Sequence, residues 1–172
     1  MKDISYTDKI VIIDFGSQTT QLIARRIREL GVYCEIISCY KTKELRNESN
    51  LRGIILSGGP LSITKTSYLG IPSQILNFNK PILGICYGHQ LLAKEFGGVV
   101  KNYKKSEFGR CDIFSNKSST LTKNFFNKEN KTHVWMNHTD VVIKIPKGFQ
   151  GVASSDDYKY TCLLYTSDAA DE

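Results

Sequence analysis

Residues Gly84 to Gly88 read Gly-Ile-Cys-Tyr-Gly and follow directly on the apolar run Pro81-Ile82-Leu83. A chain that passes at once from a strand into a helix must turn at a single strained residue, and glycines two positions to either side let the segments approach closely. Gly-x-Cys-x-Gly is the cysteine form of the nucleophile elbow, which requires a sheet beneath it and a helix after it. The spacing therefore restricts the chain to an α/β layout, with Cys86 raised at the end of a strand. There the N–H dipoles of the next helix favour its thiolate. Leu91, Leu92 and Phe96 give the expected helix Tyr87–Phe96 a core-facing side, and Gly97-Gly98 ends it. Free cysteines often serve only as small buried hydrophobes, and the paired glycines are what set Cys86 apart from that reading.

The rest of the chain supplies such a sheet. Lys9 to Asp14 contains Ile10-Val11-Ile12-Ile13, a continuous run of the kind buried on both faces of a parallel sheet. Thr19 to Leu30 places Leu22, Ile23, Ile27 and Leu30 on one helical side, closed by Gly31. Further strands are expected at Cys34–Ser38, Gly53–Leu56 and Ile82–Ile85, with connections that can hold helices. This alternation predicts an α/β fold: an open, mainly parallel twisted sheet flanked by helices. After Gly98 the texture changes to short β-type runs, Arg110–Phe114, His133–Met136 and Val141–Ile145, which predict a small antiparallel extension arranged as a meander.

At 172 residues, 41% hydrophobic and 10% aromatic, the chain suits one globular domain. Its net charge of +6 is dispersed; the basic spots Arg25-Arg26-Ile27-Arg28 and Lys101–Lys105 are short. They read as solvated faces or a docking surface, with no nucleic-acid partner expected. Five cysteines and three histidines show no metal-like spacing, so neither a metal site nor a disulfide framework is expected. No apolar stretch is long enough to cross a bilayer, and the opening residues lack an apolar core, which predicts a cytoplasmic protein with no membrane partner.

Ser57-Gly58-Gly59-Pro60 follows the third expected strand, at the edge where open α/β sheets place ligands. Consecutive glycines there can turn backbone N–H groups toward an anion. If the loop faces Cys86, its N–H groups and that of Tyr87 form an oxyanion hole; a simple tight turn is the alternative. Trp135-Met136-Asn137-His138-Thr139-Asp140 concentrates an amide, an imidazole and a carboxylate, which suits a zwitterionic ligand or, equally, a capped loop.

Taken together, these pieces resemble the class I glutamine amidotransferases, in the branch that serves GMP synthases. The motifs that carry the likeness are Asp14-Phe15-Gly16-Ser17-Gln18, Ile55 to Pro60, Gly84 to Gln90, Glu107-Phe108-Gly109-Arg110 and Val134 to Asp140. The elbow and the Gly-Gly loop mark the superfamily, and the other segments mark the branch. The resemblance implies a flavodoxin-like fold and a reaction in which Cys86 attacks the side-chain amide of glutamine, forms a thioester and releases ammonia. It further implies oxyanion donors at Gly59 and Tyr87, and substrate-binding positions at Gly58, Gln90, Asn137 and Asp140. No cofactor is implied in this domain. ATP and magnesium belong to a separate ATP-pyrophosphatase domain or subunit, the implied partner, which adenylates XMP and uses the ammonia to make GMP.

Three departures qualify the likeness. His89 stands where many members of the branch carry Met, and Thr139 where Gly is usual. No histidine follows His138, whereas the family continues into a segment that supplies a histidine and a glutamate for proton transfer. The resemblance thus predicts an amidotransferase domain over residues 1–162, incomplete at its end and inactive alone, with residues 163–172 a foreign tail. The alternatives are an amidotransferase subunit of anthranilate or carbamoyl-phosphate synthase, or a degenerate domain that binds glutamine or a partner without hydrolysis.

Overall fold

A computed structural model of the chain describes residues 8–65 and 68–165. These fall into two compact units, one holding the chain to Leu61 and again from Ser67 to Leu91, the other holding Ser62–Thr66 and everything from Leu92. The division lies close to the change of texture after Gly98.

In the first unit four strands, β1 (Lys9–Asp14), β2 (Tyr33–Ser38), β3 (Leu51–Leu56) and β4 (Ile82–Gly84), form an all-parallel sheet ordered β2-β1-β3-β4. The order reverses between β1 and β3, as in flavodoxin-like sheets. Val11, Ile12 and Ile13 of β1 are fully buried, which is what a four-residue apolar run at the centre of such a sheet requires. Helix α1 (Thr20–Glu29) packs Ile23, Ala24 and Ile27 with Ile12, Cys34 and Ile36. This corrects the expected helical side: Leu22 is 50% and Leu30 81% exposed. Thr20, Ile23, Ala24 and Ile27 keep the 3.6-residue period, whereas Leu22 lies about 100° round the axis from Ile23. At the start of β1, Lys9 is buried between Glu48 at 2.9 Å and Glu35 at 3.2 Å. The hydrogen bond to Glu48 leads in raising its amine above the ordinary value, against the opposing effect of burial.

The crossovers of this unit are lean. Cys39–Glu44 makes only a 3-10 segment between β2 and β3, and the β3–β4 connection holds the four-residue α2 (Ser73–Leu76) after Pro72. Helix α3 (Tyr87–Glu95) follows β4.

The second unit is an antiparallel sheet of β5 (Val99–Ser115), β6 (Lys131–Lys144), β7 (Phe149–Ser155) and β8 (Cys162–Tyr165), ordered β6-β5-β7-β8. It is not the expected meander, because β7 pairs with β5 rather than with β6. The short runs read from sequence merge into a long hairpin: His133–Met136 and Val141–Ile145 are both drawn into β6, which ends at Lys144. With four strands, this sheet equals the parallel one in strand number. Between Asn102 and Glu107 the register slips, since β5 advances five positions while β6 moves from Asp140 to His138. Such a bulge re-aims side chains locally. In the segment read as a foreign tail, Leu163, Leu164 and Tyr165 pair with β7, and the Tyr165 ring stacks 5.3 Å from Phe149. Residues 166–172 of that segment lie outside the described residues.

Candidate active site

β4 ends at Gly84 and α3 opens at Tyr87, leaving Ile85 and Cys86 as the whole turn. The Ile85 N–H donates to the Leu56 carbonyl at 2.9 Å, carrying the sheet pairing one residue past the strand. Cys86 then adopts φ 53°, a left-handed conformation that costs a non-glycine residue about 1–3 kcal/mol. Its carbonyl accepts from the Gln90 N–H at 3.1 Å, beginning the helix. The flanking glycines are demanded by contact. A Cβ on Gly84 would lie 2.5 Å from the Gly88 carbonyl group, and one on Gly88 would lie 2.3 Å from the Leu56 oxygen. The strained elbow implied by the spacing is thus built as the sequence suggests, and Cys86 is exposed at its apex.

The loop after β3 passes beside it. Ser57, fully buried, donates its N–H to the Ile13 carbonyl at 3.0 Å, and its hydroxyl accepts from the Phe15 N–H at 3.1 Å. The same hydroxyl donates to the Gly58 carbonyl at 2.8 Å. These bonds lock the ends of β1 and β3 together. The Ser57 carbonyl accepts from Gly88 N–H at 3.1 Å, which ties in the start of α3. A Cβ on Gly58 would stand 3.5 Å from the Cβ of Cys86, and one on Gly59 would stand 2.7 Å from the Phe15 carbonyl oxygen. Glycine is needed at position 59 for that close approach, and the structure brings Gly58 and Cys86 side by side.

Tyr87, 1% exposed, packs its ring at a tilt against Phe15, with centroids 5.2 Å apart. Its hydroxyl donates to the Leu69 carbonyl at 3.0 Å and accepts from the Leu69 N–H at 3.1 Å. A residue so held gives its own backbone N–H a fixed position at the head of α3. Gln90, one turn later, is 6% exposed. Upstream, the Asp14 carboxylate caps the turn into α1 by accepting from Gly16 N–H at 2.9 Å, Ser17 N–H at 3.2 Å and the Thr20 hydroxyl at 2.7 Å. Gly16 has φ 90° there, so the Asp-Phe-Gly-Ser segment is a helix-start turn.

In the second unit, Asn137 and Asp140 both lie in β6, where the Trp135–Asp140 segment is strand, interrupted by the register slip, rather than a capped loop. Asn137 is exposed opposite Phe108. Asp140 is 3% exposed. One of its oxygens accepts from the Ser62 hydroxyl at 2.6 Å and the Ile63 N–H at 3.0 Å, and the other from the Asn102 side-chain amide at 2.8 Å. The carboxylate pins the 62–63 turn to the β5–β6 hairpin. Sequence reasoning missed this anchoring, and also missed a buried polar group next to it. His138 Nε2 stands 3.1 Å from the Glu107 carboxylate, which also accepts from the Ser155 hydroxyl at 2.6 Å. Cys111 reaches the same carboxylate at 3.5 Å. Burial, reinforced by the Glu107 charge, pushes the Cys111 thiol up to about 11. The signal for this group was the period-2 alternation that turns Glu107 and Cys111 to one side of β5. Among the described residues no group of three or more His, Cys, Asp and Glu side chains could hold a metal ion, and no helix is long and apolar enough to cross a membrane.

Comparison with known proteins places this architecture. The family model of class I glutamine amidotransferases matches residues 11–168. A glutamine-hydrolyzing GMP synthase of Agrobacterium fabrum is 47% identical over 156 residues, which cover 91% of this chain and 30% of that protein. One from Chlorobium phaeovibrioides is 45% identical over 162 residues, covering 94% and 32% respectively. The chain thus spans about a third of the length of these relatives. Among solved structures, a Thermoplasma acidophilum protein described as a GMP synthase subunit superposes with a TM-score of 0.75 at 30% identity, over 94% of this chain and 80% of that one. A Thermotoga maritima glutamine amidotransferase superposes with a TM-score of 0.74 at 22% identity, covering 93% and 72%, a likeness of fold. With nearly its whole length matched by the family model and its fold shared with these structures, the chain belongs to the class I glutamine amidotransferases.

Proposed function

We propose that this chain is the glutaminase portion of a GMP synthase, and that Cys86 is its nucleophile. The carrying observation is the φ of 53° at Cys86, a strain maintained at an exposed thiol between two glycines that admit no side chain. Sγ attacks the Cδ carbon of the glutamine side chain, and the carbonyl π electrons move to oxygen. In this reading the N–H groups of Gly59 and Tyr87 stabilise that oxyanion, and the Ser57 and Leu69 hydrogen bonds that fix their chains support it. Collapse breaks the C–N bond, and the nitrogen leaves as ammonia carrying the proton that the Cys86 thiol gave up on attack. Water then adds to the glutamyl thioester and releases glutamate and the thiol. Gly58, whose missing side chain leaves room beside Cys86, and Gln90 border the place where the substrate binds. The ammonia is consumed by the synthetase portion that aminates XMP to GMP.

The test is covalent labelling with an electrophilic glutamine analogue, read by intact-protein mass spectrometry. One adduct at Cys86, suppressed by excess glutamine and lost in Cys86→Ala, is the expected outcome. Labelling spread over other cysteines, or indifferent to glutamine, would sink the proposal.

A further inference from the structure

The β5–β6 ladder pairs Phe108 with Asn137, Arg110 with Trp135 and Asp112 with His133, so these six side chains share one face of the hairpin. The opposite face is turned inward, with Glu107 8% and Ile113 6% exposed. On the outward face Trp135 is 83% and Phe108 65% exposed. A Cβ on Gly109, which has φ 93°, would stand 3.9 Å from one carbon of the Trp135 ring.

Charge on this face is uneven. Asp112 is engaged by Lys131 at 2.5 Å and by His133, while Arg110, opposite Trp135 and two positions from Phe108, forms no ion pair among the described residues. Trp and Arg beside a further aromatic ring are the residues that dominate protein interfaces. An acidic group set in apolar surroundings is their complement. A second copy docked face to face across a twofold axis would oppose Arg110 to Arg110, which disfavours it. The relatives supply another occupant, since the matched region fills only 30% and 32% of two of them, and the domain there is joined to a larger remainder.

We propose that this face, centred on Trp135, Phe108 and Arg110, docks the synthetase portion of a GMP synthase through an acidic, apolar-rimmed patch on that portion. This rests on the reading of the chain as a glutaminase portion, and the experiment separates the two. Trp135 is the sole tryptophan of the chain, so incorporating fluorotryptophan gives a single fluorine resonance at the centre of the face.

Titration of the labelled chain with a GMP synthase synthetase subunit that occurs as a separate polypeptide should shift that resonance. Arg110→Glu and Trp135→Ala, the latter followed by calorimetry, should each weaken binding about tenfold or more. Lys123→Glu, which makes the same change in net charge on the 116–130 loop, should leave the affinity unaltered. No shift at saturating concentrations of that polypeptide, or an Arg110→Glu chain that binds like wild type, would overturn the docking face. So would a shift produced by raising the chain's own concentration or by anionic lipid vesicles alone. Cys86 labelling by the glutamine analogue serves as the folding control. Normal labelling with weakened docking supports the proposal, whereas intact docking by a wild-type chain that takes no label supports the face and removes the glutaminase reading.

Discussion

The Cβ position of Gly88 lies 2.3 Å from the carbonyl oxygen of Leu56, so the first turn of α3 sits directly on the end of β3. Leu56 cannot retreat without losing the bond its carbonyl accepts from Ile85 N–H at 2.9 Å. Gly88→Ala should therefore cost about 1–3 kcal/mol through overpacking, measured as a lower urea midpoint. Wild-type stability in this variant would mean that the helix is not seated so tightly.

At Cys86 the expected sign is reversed. Glycine adopts φ 53° without strain, so Cys86→Gly should be more stable than Cys86→Ala by about 1 kcal/mol, although both lose the thiol. Equal unfolding free energies for the pair would show that the elbow carries no backbone strain.

Asp140→Ala removes the acceptor for Ser62, Ile63 and Asn102 at a buried site. Leaving such donors unsatisfied should cost about 2–4 kcal/mol, and Asp140→Asn, which keeps one carbonyl acceptor, should cost less. Hydrogen exchange at the Ile63 amide should accelerate in the alanine variant; an unchanged rate there would place the anchor elsewhere.

Cys111 gives a pH dependence whose sign is fixed. Its thiol ionises near 9.0 when unfolded and at about 11 in the fold, so between these values the folded chain retains a proton that the unfolded chain has lost. The contribution is complete below about pH 9 and declines as pH rises toward about 11. The difference in stability between wild type and Cys111→Ala should shift in favour of the variant across that window. A pH-independent difference would contradict the assignment. At neutral pH, thiol reagents should reach exposed Cys86 well before Cys111.

What the sequence revealed was local. Four consecutive apolar residues at Ile10–Ile13 and two glycines around Cys86 specify a buried strand and a sharp turn without reference to distant parts of the chain. The buried side of α1 was harder to read, because Leu22 and Leu30 advertise hydrophobicity while Ala24, with its small side chain, occupies the contact with β1 and β2. The partners of Asp140 lie 77 and 78 residues earlier at Ile63 and Ser62, and no spacing rule connects positions so far apart. The same holds for β7, whose choice of β5 over β6 is a matter of which edge the chain returns to.

β4 contributes three residues to the parallel sheet, stands at its edge and, among the described residues, pairs with β3 alone. Short edge strands open at lower free energy than central ones such as β1. Each opening would relax Cys86 out of its left-handed conformation and separate it from the Gly58 loop. Cys86 therefore follows directly on a three-residue edge strand, and amide exchange at Leu83 and Ile85 measures how often that strand opens.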